Sequence, residues 1–270
     1  MTLRENLKKI IPTPVLDFAR QSRDSMGRAG QYPQAYLHPW RRESITRIRG
    51  MKDIHKGQRC FIIGNGPSLK NTDLSKLRAE FTFGMNRIYL MFPELGFETS
   101  YYVAVNDLVV EQCAADIQAL KMPRFVSWRA RKWLRSDDHL NFLFTTYTGP
   151  TFQRNITARL WESATVTYVA LQTAFYLGFE TVILIGVDHS FVTQGKPNTT
   201  IVSEGDDPNH FAPGYFGKGF RWQLPDLDTS ELGYHYARRA YEQAGRKVLD
   251  ATVGGKLTVF EKVDYLSLFK

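Results

Sequence analysis

Two cysteines in 270 residues, Cys60 and Cys113, leave no material for a disulfide framework, and no His or Cys cluster has the spacing of a zinc site. Long apolar runs are missing too. Nothing approaches the roughly 18 consecutive apolar residues of a membrane span, and the first residues lack the unbroken apolar core of a signal peptide. A soluble protein of a reducing cytoplasm is the expectation. Gly-x-Ser-x-Gly and a cysteine–histidine pair in hydrolase context are absent, so covalent nucleophile chemistry is not indicated. Internal repeats and low-complexity tracts are absent as well. Acidic side chains are outnumbered, 27 against 35 Lys and Arg, and the net charge of +8 favours acidic partners such as nucleotides, phosphorylated sugars or an anionic membrane face. No RNP-like aromatic motif accompanies that charge, so nucleic acid is not an expected partner. With 43% hydrophobic and 13% aromatic residues the chain can bury the core of one large α/β domain.

The most informative segment is Cys60 to Leu69, CFIIGNGPSL. Four apolar residues without alternation read as a strand buried on both faces, as in a parallel sheet covered by helices. Gly64 and Gly66 then permit unusual backbone angles and close approach of a ligand to the main chain. Pro67 suits a first helical position, Ser68 brings a hydroxyl, and a following helix would aim its positive end at an anion. Neither the Rossmann fingerprint nor the Walker loop is matched as written. Asn65 at the tip adds an amide able to donate to a phosphate or sugar oxygen.

Downstream, the pattern alternates: strand 59–63, helix 73–78, strand 81–85, strand 101–105, helix 108–119 and strand 124–127. This is the rhythm of a parallel sheet. Segment 129–160 is expected to be irregular. Residues 164–177 carry no charge and read as a buried helix ended by Gly178. The run Thr181 to Ile185 is the clearest central strand, and Asp188 just beyond it is expected to share a crevice with the Gly64 loop. Helix 229–244 and strand 247–250 follow. Between them, 189–228 is a long polar insertion whose aromatic residues favour a lid over disorder.

The fold class is therefore α/β, a Rossmann-like, mostly parallel sheet with helices on both faces and an aromatic-rich lid insertion. Residues 1–55 form a basic N-terminal arm and 56–270 a nucleotide-binding catalytic domain with its lid at 189–228. Within the first fifty residues ten Lys or Arg face four Asp or Glu. Such an arm suits either packing on its own domain or a partner subunit in a homo-oligomer, or peripheral contact with the inner face of an anionic membrane.

Ile63 to Leu69, Asn86-Arg87 after the second strand, Gly186-Val187-Asp188, and Asn209-His210-Phe211 in the insertion together resemble the bacterial sialyltransferases of glycosyltransferase family 42. They look equally like the related MptE-like proteins, which include a 6-hydroxymethylpterin pyrophosphokinase and the central domain of flagellin glycosyltransferases. The likeness spans about residues 57 to 260. It implies a lidded Rossmann-like sheet, with Asn65 and Asn86 matching asparagines that hold the donor nucleotide and phosphate. Ser68 would lie beside them, and Thr165 falls near a phosphate-contacting Thr-Ser-Gly segment that reads Thr165-Val166-Thr167 here. Two lid tyrosines of the family have no counterpart at 190–200, and Tyr215 is the candidate substitute.

Independently of any family, transfer from a nucleotide donor needs a base, groups for the leaving phosphate and a cover against water. His210 is the first candidate base, with His189 and Asp188 as competitors. Arg87, Lys218 and Arg221 are candidates to neutralise phosphate, and Asn106 or Asp107 at a strand end to touch a ribose or acceptor. Asp226-Leu227-Asp228 and Asp206-Asp207 are weak metal signals, so no metal site is assigned. The expected function is a nucleotide-sugar-dependent glycosyltransferase with a glycan acceptor and no cofactor. The alternatives are a pyrophosphokinase, which would need Mg²⁺, and a non-catalytic nucleotide-binding module.

Overall fold

The computed structural model describes residues 29–192, 195–205 and 207–270, together with 22, 26 and 27. Eight strands form one wholly parallel sheet: β1 (Arg59–Ile63), β2 (Phe81–Met85), β3 (Tyr101–Ala104), β4 (Arg124–Ser127), β5 (Leu140–Leu143), β8 (Thr181–Ile185), β11 (Lys247–Asp250) and β12 (Glu261–Lys262). Their order is β12-β11-β8-β1-β2-β3-β4-β5. The chain runs outward from β1 to β5, then returns to the other side of β1. The switch point therefore lies between β1 and β8, where the crevice of an open parallel sheet forms.

Alternate residues of β1 face opposite cores. Phe61 and Ile63 join one apolar cluster, while Cys60 and Ile62 join the other. Helices α1 (Tyr32–Leu37) and α2 (Pro39–Gly50) precede the sheet, and the short α3 (Phe92–Leu95) follows β2. Helices α4 (Asp107–Gln112) and α5 (Ala114–Ala119) contribute Val109, Val110 and Ile117 to the first cluster. The uncharged α6 (Val166–Leu177) and α7 (Leu227–Glu242) serve the second. Both faces are thus covered, as uninterrupted apolar strands demand.

The basic arm assigned to 1–55 is helical where it is described. Ser44 on α2 accepts the backbone N–H of Phe142 on β5 at 3.0 Å, and Arg47 donates to the Leu140 carbonyl at 2.6 Å. Residues 1–21, 23–25 and 28, where much of the expected membrane contact falls, lie outside the described residues. No described helix is long and apolar enough to cross a membrane.

Two expectations need correction. Segment 129–160 is not irregular throughout: it supplies β5 at the sheet edge and a small parallel pair, β6 (Thr145–Thr146) with β7 (Leu160–Trp161). The strand escaped notice because Asn141 interrupts its apolar residues. That amide is buried and accepts from Arg47 at 3.2 Å. Second, no regular α-helix follows the Gly64 loop. Pro67–Asn71 and Leu74–Leu77 are single 3-10 turns, too short to carry a macrodipole. The insertion carries the antiparallel pair β9 (Thr200–Val202) and β10 (Arg221–Gln223), and its Phe211, Tyr215, Phe216 and Trp222 are buried against the first cluster.

Candidate functional site

A cavity of about 560 Å³ opens at the switch point. Its floor is the carboxyl ends of β1, β2, β3 and β8, and its roof is the insertion. Of the residues singled out from sequence, Gly64, Asn65, Gly66, Asn86, Asn106, Thr165, Asp188, His189 and His210 line it. Ser68, Arg87, Asp107 and Tyr215 do not.

The Gly64 loop is shaped by its neighbours. Gly66 has an ordinary φ of −71°, and Gly64 is not among the described residues with positive φ. A Cβ on Gly64 would lie 2.1 Å from the Gly186 carbonyl oxygen, and one on Gly66 would lie 1.7 Å from Asp188 Oδ2. The glycines serve close approach of the 186–188 segment, correcting the expectation of unusual backbone angles. Ser68 donates to Asp188 twice, from its N–H to Oδ1 at 3.1 Å and from Oγ to Oδ2 at 2.8 Å. The chain's own carboxylate thus occupies the place where the sequence suggested a ligand anion. Burial raises the Asp188 pKa, and the Ser68 bonds offset part of that rise.

Above the floor, His210 Nδ1 lies 2.8 Å from Asp207 Oδ2, whose side chain is 3% exposed. The imidazole is stacked on Tyr215 with ring centroids 4.1 Å apart and planes at 4°. Its neighbours are pinned as well: Asn209 Oδ1 accepts from the Val192 N–H at 2.8 Å, and the Phe211 N–H donates to the Asn65 carbonyl at 3.0 Å. His189 is held more loosely, 3.4 Å from Glu231.

Arg87 does not line the cavity and ties down the 189–228 insertion. Its guanidinium donates to the Tyr215 and Gly214 carbonyls, and lies over the Tyr215 and Phe220 rings. Arg221 pairs with Glu111 at 2.8 Å, and Lys218 is exposed outside the cavity. The charged lining side chains among the described residues, histidines aside, are the carboxylates Glu162, Asp188 and Asp226. The rest of the polar lining is mostly amide and hydroxyl, including Asn65, Asn86, Asn106, Thr165, Thr167 and Tyr234. The carboxamide oxygens of Asn65 and Asn86 are buried and have no hydrogen-bond partner among the described residues. A ligand donor would relieve that cost of about 1–3 kcal/mol each.

Left-handed backbone also gathers here. Asn86 (φ 50°), Ala164 (54°), His189 (53°) and Asn198 (64°) all line the cavity, and Ser163 (49°) adjoins it. Non-glycine residues adopt that region at a cost and do so most often at functional sites.

A sequence model described as "6-hydroxymethylpterin diphosphokinase MptE-like" matches residues 41–194. The chain belongs to the MptE-like family. Among solved structures, a Maf glycosyltransferase from Magnetospirillum magneticum AMB-1 is similar with 14% identity and a TM-score of 0.49, over 83% of this chain and 38% of that one. The sialyltransferase CstII from Campylobacter jejuni, in complex with the substrate analogue cytidine-5'-monophosphate, is similar with 15% identity and a TM-score of 0.44, over 77% of this chain and 85% of that one. This MptE-like chain thus spans little more than a third of the Maf enzyme's length. No curated protein matches it in sequence.

Arg129 carries no motif that marks it in the sequence, yet it joins residues far apart in the chain. It reaches Asp107 at 2.9 Å, Glu162 at 2.8 Å, the Val105 carbonyl at 3.1 Å and Thr145 at 3.1 Å. Asp107 is thereby an ion-pair partner in the wall. Burial lowers the Arg129 pKa, yet Glu162, Tyr147 and Asp107 outweigh it and leave the guanidinium held above its ordinary value.

Proposed function

We propose that this MptE-like chain is a nucleotide-dependent transferase in which His210 deprotonates an acceptor hydroxyl, and that the group moved is a sugar carried on a nucleotide. The observation that carries the reading is the His210–Asp207 pair on the cavity wall. A buried carboxylate holding Nδ1 fixes the imidazole's tautomer and orientation, steadies the imidazolium that forms, and leaves Nε2 to take the proton. The unpaired Asn65 and Asn86 oxygens favour a donor-bearing group such as a nucleobase amine or ribose hydroxyl at the β1–β2 end. The hydroxyls of Thr165, Thr167 and Tyr234 gather at the N-terminus of α6, where a leaving phosphate would be held.

The second reading, diphosphate transfer from ATP to an alcohol, is favoured by the family description. It requires Mg²⁺. Among the described residues no three His, Cys, Asp or Glu side chains form a ready ligand set. A magnesium ion arriving on nucleotide phosphates needs only one or two carboxylates, and Asp188 and Asp226 are the cavity-lining carboxylates not paired with Arg129. There it would neutralise phosphate charge.

A thermal-shift panel of CMP, CDP, UDP, GDP, ADP and ATP, each with Mg²⁺ and with EDTA, separates the readings. A nucleotide at 100 times its dissociation constant adds about 2.7 kcal/mol. Stabilisation by a mono- or diphosphate irrespective of metal supports sugar transfer. Stabilisation by ATP only with Mg²⁺ supports diphosphate transfer, and silence across the panel refutes both.

A further inference from the structure

At the wall of the cavity just beyond β6 and β7, a tyrosine stands out in the open. Tyr147 is 62% exposed yet lines the cavity, and it is not slack. The Arg129 guanidinium lies 4.5 Å from its ring centroid, covering one face. Its carbonyl accepts the Trp161 indole N–H at 3.1 Å. An aromatic ring braced from beneath and from its own backbone, with the remaining surface left bare, is a preorganised stacking platform.

Beside it is Glu162, whose side chain is only 5% exposed and lines the same cavity. Arg129 Nη2 donates to Oε1 at 2.8 Å. Arg129 carries one positive charge and faces two carboxylates, Glu162 and Asp107, so this corner has a net negative charge. Burial raises the Glu162 pKa and Arg129 pulls it back. Glu162 also interacts with the Thr145 hydroxyl, and a carboxylate with about four lone-pair sites keeps capacity to accept a further O–H or N–H from the cavity it lines. Anions are disfavoured here twice, by the local charge and by the low dielectric of the wall.

From this we infer that Tyr147 and Glu162 form the acceptor subsite, and that it selects an uncharged ring bearing hydroxyl groups, a neutral sugar, while rejecting its anionic counterparts. The apolar face of the sugar ring stacks on Tyr147, and a hydroxyl donates to Glu162. Arg129 is the positioning residue that holds both. The inference rests on the proposed transferase reading for calling this the acceptor end; the recognition chemistry stands on the residues themselves.

The test uses the full chain and ligand-observed NMR titration with methyl β-galactoside, methyl α-glucoside and methyl α-mannoside, each beside its 6-phosphate, while the CMP and ATP thermal shifts are recorded on the same samples. At least one neutral glycoside is expected to bind, with its phosphate ester at least tenfold weaker. Glu162→Gln should narrow that gap to less than threefold. Tyr147→Ala should weaken the neutral glycoside at least fivefold, and Tyr147→Phe should stay within twofold of wild type. Tyr147 is exposed, so its variants keep the test alive if Glu162→Gln misfolds. Equal binding of neutral and phosphorylated sugars, no effect of Tyr147→Ala, or no binding of any glycoside overturns the inference. If that happens while a nucleotide still stabilises the protein, the acceptor assignment alone has failed; if no nucleotide stabilises it, the transferase reading has failed.

Discussion

Replacing Gly66 by alanine should cost about 3 kcal/mol, and the cost should come almost entirely from Asp188. The new methyl would sit 1.7 Å from Asp188 Oδ2 and 2.5 Å from its Cγ. A carbon–oxygen contact settles near roughly 3.3 Å, so the carboxylate must retreat by about 1.5 Å. That movement breaks both bonds from Ser68, at 3.1 and 2.8 Å. Hydrogen bonds to a charged group contribute about 1.5–3 kcal/mol each, and water in the cavity recovers part of the loss. For a domain of this size the net loss lowers Tm by about 6–12 °C. Urea unfolding of wild type, Gly66→Ala, Asp188→Ala and the double variant checks the cause. With Asp188 truncated, the Gly186 carbonyl at 2.9 Å is what remains of the three nearest contacts, so Gly66→Ala should then cost about 1 kcal/mol or less. A coupling of about 2 kcal/mol is expected. Strictly additive costs would refute the view that the glycine exists to admit the carboxylate.

Asp207→Asn should lower kcat by about 10²–10⁴ with little change in nucleotide-induced thermal shift, because it removes the orientation of His210 and leaves the donor contacts alone; an unchanged kcat moves the base elsewhere. Arg87→Ala removes the bonds to Tyr215 and Gly214 that fasten the lid, and limited proteolysis should cut within 189–228 faster than in wild type, a difference that bound nucleotide should reduce. His55 is buried among Phe81, Tyr101 and Phe179, and that burial lowers its pKa in the folded state. Its contribution is therefore present above the unfolded value near ~6.5 and is lost as pH falls toward the lower folded value. The drop in urea midpoint between pH 7.5 and pH 5 should be smaller in His55→Gln; an equal drop would show that His55 is not the group titrating.

Much of the frame was legible because it depends on local pattern. Cys60 to Ile63 and Thr181 to Ile185 are apolar without alternation, which suits strands buried on both faces, whereas the return of the chain to the other side of β1 is visible only in the fold. Strand ends of that kind place the Gly64 loop and Asp188 along one edge of the sheet. β5 was hidden by Asn141, whose amide is satisfied by Arg47, 94 residues earlier in the chain.

Sequence alone thus determined the class of the fold, the edge at which the cavity opens and some of the residues that line it, since apolar periodicity and glycine placement act over a few residues. Tertiary structure decided what those side chains do. Ser68 turned to Asp188, Arg87 and Tyr215 turned to each other, and Arg129 drew Asp107 and Glu162 into one wall. A charge or hydroxyl is committed by the nearest complementary group in space, and that neighbour is chosen by packing between segments far apart in the chain.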